Sequence, residues 1–259
     1  MHCVREMQSL KGKIALITGG SQGIGLATVQ SFLAAEASVI SCGRSLDKWK
    51  LAVEKYPALA TVDFQAVDLT QASALKDWFA SVRQAFGRLD IAVNNFASDA
   101  RGIGEFATLT TDEMNAAMQA TLLAPLACLR EEILLMSQGG AIVNVSSVNG
   151  LRATPGAAIY SSAKHGIEGI TKSLALEVIG NGIRINAVAP GVTLTPSWEA
   201  RLAAAESPSA MKNEVEQLVP LKRFACADEI ANAIVWLCSD AASYVVGHTL
   251  VVDGGLSQT

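Results

Sequence analysis

Tyr160 and Lys164 stand four positions apart in the stretch AIYSSAKHG. If that stretch is helical, both side chains share one face, one turn apart. A phenol beside a cation is a candidate acid–base pair. A free phenol ionises at about pH 10, and a positive charge ~4 Å away at an effective dielectric of ~20 contributes ~4 kcal/mol, enough to lower that value by ~2.5 units. Ser147 lies upstream at the end of the apolar run AIVNVSS, where its hydroxyl could hold the oxygen on which such an acid acts. A Tyr and a Lys at this spacing also recur on ordinary helices, so the pair acquires meaning only from its surroundings.

A second candidate is the stretch ITGGSQGIGLA. Gly19, Gly23 and Gly25 permit a tight turn and let phosphates approach the backbone, and Ser21 and Ile24 lie in the same turn. A helix starting there offers free N–H donors and the positive end of its dipole. No Lys-Ser/Thr follows, so the turn is not a phosphate loop of the GxxxxGK type. Its plainer role would be close helix–strand packing alone.

The elements that must position these groups are legible as short apolar runs alternating with amphipathic segments. KIALIT, SVISCG, VDFQAVD, LDIAVNN, GAIVNVSS, IRINAVAP and TLVVDGG read as strands. Helices are expected at GLATVQSFLAAE, 46–55, ASALKDWFASVRQAF, 111–136, about 157–178 and ADEIANAIVWLC. Seven strands separated by helices predict an α/β fold: a single doubly wound domain, with a parallel sheet covered on both faces and ligands at the carboxyl ends of the strands. Residues 191–221 form the least regular stretch and follow a strand end, where a substrate lid would be useful. Trp198, Leu202, Met211 and Leu218 would make its pocket side partly apolar.

Taken in order, these landmarks resemble the short-chain dehydrogenase/reductase family. The turn has that family's TGxxxGxG spacing, and Ser147, Tyr160 and Lys164 match its S-x12-Y-x3-K pattern. Asp68 in VDLT, Asn95 in NNFA, PGVTLT from Pro190 to Thr195, and the terminal VDGG match further motifs over nearly the whole chain. The resemblance implies a Rossmann-type fold and hydride transfer between a nicotinamide dinucleotide and the carbonyl or alcohol group of a small molecule. Tyr160 would be the general acid/base, Ser147 the oxyanion partner, and Lys164 the cation that also holds the nicotinamide ribose. It places the dinucleotide against Gly19, Ser21, Gly23, Ile24, Gly25, Asp68, Leu69, Asn95, Tyr160, Lys164, Pro190, Gly191, Val192 and Thr195. Relatives commonly assemble in fours, so a homotetramer or homodimer built on the helices at 111–136 and 157–178 is expected, although Leu126 and Leu174 there would serve equally as core.

Cofactor choice is read after the second strand. An acidic residue there would bind the adenosine ribose and repel a 2′-phosphate, but the position holds Gly43, followed by Arg44. A forked cation suits phosphate oxygens, so NADP(H) is expected over NAD(H), with a surface Arg at a helix start as the alternative. Two positions depart from the family pattern. Thr121 stands where the family has the Asn of its proton relay, and offers a shorter reach and fewer donors. In NNFA, Phe96 and Ala97 replace Ala and Gly, and Phe96 is expected to turn into the core.

Composition restricts the remaining classes. Half of the 259 residues are hydrophobic, 17% are charged, and the formal net charge is −4 with scattered basic residues, which disfavours a nucleic-acid partner. Five cysteines without a CxxC pair point to reduced thiols in a cytoplasm, and three separated histidines predict no metal site. No apolar run reaches the ~18 residues of a membrane span. His165, beside Lys164, points ~100° around the helix from it and is expected to be structural. Two alternatives remain: a dinucleotide-binding redox sensor with little catalysis, and a family member that reduces a different bond, such as a carbon–carbon double bond.

Overall fold

The strands are short, β-branched and apolar, and they leave few places for water on either side. A computed structural model, describing residues 9–96, 102–137 and 139–259, shows how both faces are covered. Its strands are β1 (Ile14–Thr18), β2 (Ser38–Gly43), β3 (Asp63–Ala66), β4 (Ile91–Asn94), β5 (Gly140–Val145), β6 (Ile183–Pro190) and β7 (Thr249–Val252). They form one parallel sheet in the order β3-β2-β1-β4-β5-β6-β7. The order reverses between β1 and β4, which opens a crevice at their carboxyl ends.

Alternation along the strands divides the core in two. The register aligns Ile40, Leu16, Ala92, Ile142 and Ile185 in one row across five strands. This row packs against α3 (Ala72–Phe86), α5 (Ala124–Leu135) and α6 (Ala158–Val178), through residues such as Trp78, Phe79, Leu129 and Ala175. On the other face, Ile17, Val93 and Val143 pack against α1 (Gly23–Ala34) and α9 (Ala227–Cys238), through Val29, Phe32, Ile230 and Ile234. Truncating a fully buried side chain such as Phe32 to Ala would cost ~3–5 kcal/mol. Phe96 joins the first of these clusters, as its apolar ring demands, while Ala97 lies outside the described residues.

Two segments differ from expectation. The stretch 191–221 is not irregular, for it carries α7 (Pro196–Ala203) and α8 (Pro208–Leu218). Each begins on a proline, which suits a first helical position because its fixed φ fits and its missing N–H is not required there. The helix expected at 111–136 is interrupted. It runs as α4 (Thr111–Met118), a π-helical turn (Gln119–Leu123) and α5, and α4 starts with a reciprocal Thr110–Glu113 capping box.

Behind the crevice lies a buried polar chain. Asn94 Nδ2 donates to Glu132 Oε2 at 2.9 Å and to Asn144 Oδ1 at 3.1 Å, and Asn144 Nδ2 donates to Thr171 Oγ1 at 2.9 Å. The chain ties α5 to β4, β5 and α6. Glu132 Oε1 and Asn94 Oδ1 have no described partner, so a proton on Glu132 supplies the donor that the cluster lacks. Burial pushes the Glu132 carboxyl up to about 8, and the Asn94 bond only partly opposes this. The folded state therefore holds a proton that the unfolded chain releases near its ordinary 4.5. This contribution to stability is complete below about pH 4.5 and is lost as pH rises through about 8. Urea midpoints taken from about pH 5 to about pH 9 should fall with rising pH, and Glu132→Gln should flatten that slope. An unchanged slope in the variant would show that another group carries it.

Candidate active site

The turn leaving β1 is built from backbone-on-backbone contact. Gly19 has φ +74°, and a Cβ on Gly25 would lie 2.1 Å from the Gly19 carbonyl oxygen, so α1 can start this close only without a side chain there. Neighbouring strands clamp the turn. Thr18 Oγ1 accepts from the N–H groups of Asn95 and Phe96, both at 3.0 Å, and Asn95 Nδ2 donates to the carbonyls of Thr18 and Gly19 at 3.1 and 3.3 Å. Gln22, the N-cap of α1, makes no capping bond; its Oε1 accepts from Lys48 Nζ at 3.1 Å instead. With no acidic residue in its first turn, α1 presents N–H donors without a side-chain acceptor, the condition under which a helix start binds a phosphate. The residues present therefore fit a dinucleotide's pyrophosphate.

At the end of β2, Gly43 is buried, and a Cβ there would lie 2.9 Å from Ser21 Oγ. A side chain there would require Ser21 Oγ to turn aside. Arg44 follows, exposed, and Ser45 caps α2 (Leu46–Lys55) by accepting from Lys48 N–H at 3.2 Å. Lys48, absent from the sequence-based set, is thus a second cation beside the turn. Asp68 stands just beyond β3, its Oδ1 accepting from Thr70 N–H and Oγ1 at 3.0 and 2.7 Å, while Leu69 is buried beside it. Cys42, behind the turn, is no candidate nucleophile, because burial pushes its thiol up to about 12.

The candidate reacting groups lie just past β5 and on α6. Ser147, just past β5, caps a short 3₁₀ turn (Val148–Gly150), and its Oγ accepts from Asn149 N–H at 3.2 Å. Its own hydroxyl hydrogen is therefore directed to another acceptor. Tyr160 and Lys164 lie on one face of α6, with Lys164 Nζ 5.7 Å from the Tyr160 ring centroid. Lys164 is buried and donates to the Val145 carbonyl at 2.7 Å, which fixes the cation at the carboxyl end of β5. His165 turns away, its Nδ1 2.9 Å from the Ser161 carbonyl.

These groups meet in one cavity of about 830 Å³. Ser147, Tyr160, Lys164, Asn95, Ile24, Pro190, Gly191, Val192 and Thr195 all line it. Gly19, Ser21, Gly23, Gly25, Arg44, Asp68 and Leu69 do not; they lie on the turn and strand ends of the β1–β3 half. Of the apolar residues expected from 191–221, Trp198 and Leu218 line the cavity, whereas Leu202 and Met211 do not. Asn149, Arg152, Arg201 and Leu256 line it without having been singled out from the sequence, since no spacing motif marks them.

Thr121 is buried in the π turn, outside the cavity wall. Its carbonyl would ordinarily accept from the N–H four residues on, but that residue is Pro125. The widened turn is closed instead by Ala124 N–H to the Gln119 carbonyl. Proline thus removes the i+4 donor from the Thr121 carbonyl, on a turn that packs against α6. Among the described residues, no group of His, Cys, Asp and Glu side chains could hold a metal ion, and no helix is long and apolar enough to cross a membrane.

Comparison with known proteins agrees with this geometry. A family model described as enoyl-(acyl carrier protein) reductase matches residues 19–257. A short chain dehydrogenase/reductase of Aspergillus oryzae is 38% identical over 256 residues, covering 96% of each chain. A 3-oxoacyl-[acyl-carrier-protein] reductase of Thermotoga maritima is 34% identical over 253 residues, covering 95% of this chain and 98% of the other. Among solved structures, actinorhodin polyketide ketoreductase with NADPH superposes with a TM-score of 0.89 at 27% identity, over 95% of this chain and 98% of that one. Levodione reductase also gives 0.89, at 30% identity, over 96% and 99%. On fold, site and sequence together, the chain belongs to the short-chain dehydrogenase/reductase family of oxidoreductases.

Proposed function

We propose that the chain reduces a carbonyl group of a small molecule, or oxidises the matching alcohol, with NADP(H) as its dinucleotide. The observation that carries this reading is the convergence of Ser147, Tyr160 and Lys164 on one cavity that also reaches α1 and Thr195. Bound there, the dinucleotide supplies the hydride. The chain supplies the rest. Tyr160 gives its hydroxyl proton to the carbonyl oxygen in reduction and takes it back in oxidation. Ser147, whose Oγ accepts from Asn149 N–H, keeps its own hydroxyl hydrogen to donate to the same oxygen. Lys164 holds a positive charge beside the phenol ring. The segment 191–221 serves as the lid of this single domain. Exposed Leu134 and Leu176, on α5 and α6, suit assembly into dimers or tetramers.

Gly43 and Arg44 support NADP(H) over NAD(H), since the first presents no carboxylate and the second adds a cation. Two solved structures that the chain resembles, actinorhodin polyketide ketoreductase and ElxO, hold NADPH and NADP. The family model's description names an enoyl substrate, which keeps reduction of a carbon–carbon double bond as a second reading. The short Tyr-x3-Lys spacing favours the carbonyl.

Thr121 enters the proton relay through its backbone carbonyl rather than its hydroxyl. The loss of the i+4 donor follows from Pro125 and is indifferent to the side chain at 121. Hence Thr121→Asn should retain turnover, while Pro125→Ala, which returns an N–H to the turn, should lower kcat with NADPH binding kept. The reverse pattern would assign the relay to the hydroxyl.

Tyr160→Phe should cut NADPH oxidation on a ketone panel at least ~100-fold while NADPH still binds in a fluorescence titration. Full activity in that variant would refute the assignment of the acid. NADPH should bind more tightly than NADH, and Arg44→Ser should narrow the difference. Tighter NADH binding in the parent protein would reverse the cofactor preference.

A further inference from the structure

Resting on the carbonyl reading above, we infer that the cavity selects an oxo carboxylate, whose carboxylate docks on Arg201 while its carbonyl faces Tyr160 and Ser147. Arg201 projects from α7 into the cavity lining. Its guanidinium stacks over the Trp198 indole, 4.7 Å from the ring centroid. Trp198 is in turn braced edge-on by Phe224, with centroids 5.3 Å apart and planes at 76°, and Phe224 is buried. The fork is therefore held in a defined place before any ligand arrives, which reduces the ordering cost of binding.

The charges around it do not cancel. Among the described residues, the only carboxylate lining the cavity is Glu113, and its Oε2 already accepts from Thr110 N–H and Oγ1, both at 2.8 Å. The second guanidinium, Arg152, is occupied. Its Nη1 donates to the Leu256 carbonyl at 2.8 Å, and it lies in the field of Asp253. Arg201 forms no ion pair or hydrogen bond among the described residues. Lys164, the third cation on the wall, is committed to the Val145 carbonyl. Arg201, solvent-exposed while lining the cavity and stacked on Trp198, is thus the guanidinium left without a matched anion.

The rest of the wall defines what must join the two ends. Leu109, Val148, Val215, Leu218 and Leu256 supply apolar surface. A matching occupant has a reducible carbonyl at one end, an apolar body, and an anionic oxygen pair at the other. A planar carboxylate meets the guanidinium fork with two parallel bonds.

Two measurements test this. Octanoate and octanamide have the same length and differ in charge, and their binding to the full chain with NADP+ present can be compared by calorimetry. Octanoate should bind about tenfold more tightly, as one charge-assisted contact implies. Arg201→Ala should abolish that advantage, Arg201→Lys should keep part of it, and added salt should erode it. In turnover, kcat/KM for 7-oxooctanoate relative to its methyl ester should fall about tenfold in Arg201→Ala, chiefly through KM. Equal binding of octanoate and octanamide would overturn the inference. So would an Arg201→Ala variant that weakens both equally, since Arg201 would then only support the lid. If neither oxo compound is reduced while the octanoate preference and its Arg201 dependence persist, the carbonyl reading falls and the carboxylate anchor stands.

Discussion

The structure depends on how closely β1 can hand the chain to α1. A strand end, a glycine turn and a helix start occupy space in which a single methyl group would strike a carbonyl oxygen 2.1 Å away. Such backbone contact leaves polar groups that must be satisfied within the protein, and Thr18 and Asn95 satisfy them across the β1–β4 boundary. That boundary is where the strand order reverses, so consecutive helices depart to opposite faces and the crevice between them stays open. The same stitches that close the turn therefore keep the binding crevice in register with the sheet.

The catalytic half is anchored by the same logic from the other side. Lys164 reaches the carbonyl of Val145, and Thr171, two turns further along α6, closes the buried chain through Asn144 and Asn94 to Glu132. The helix that carries Tyr160 is thus fixed to β5 at two heights. A neutral, protonated Glu132 suits this position better than an ion, because removing a bare carboxylate from water would cost several kcal/mol. The result is a rigid floor on which a phenol, a hydroxyl and an ammonium keep their spacing.

Much of this was legible in the sequence because it is written in period and spacing. SVISCG and IRINAVAP begin and end where the strands do, and the helices at 46–55, 72–86 and 227–238 match their elements residue for residue. Ser147, Tyr160 and Lys164 were legible for the same reason, since a strand end and one helical turn convert spacing into proximity. What escaped had a different physical origin. Residues 191–221 read as the least regular stretch, although Pro196 and Pro208 stand at first turns, where proline is a start signal. The π turn follows from one missing N–H at Pro125, which no apolar period records. In LREEILL two adjacent carboxylates look alike, yet Glu131 meets Arg83 and Arg130 near the surface while Glu132 is wholly buried. Asn149, Arg152, Arg201 and Leu256 are brought together only by tertiary folding.

The division between legible and illegible residues follows the division of labour in the site. The groups proposed to act on the transferred proton must hold fixed distances, and they sit on a strand end and a helix, where sequence separation translates directly into geometry. The rest of the cavity wall is borne largely by α7, α8 and the C-terminal turn, segments whose placement rests on side-chain contacts such as Trp198 on Phe224 and Arg152 on the Leu256 carbonyl. Those contacts can be altered without disturbing the row of apolar residues that aligns the sheet. A fold organised in this way keeps one chemistry while its choice of ligand changes through a few residues at the rim. In this chain the rim carries a stacked guanidinium, Arg201 on Trp198, and under the proposed reading charge would join shape in selecting the ligand.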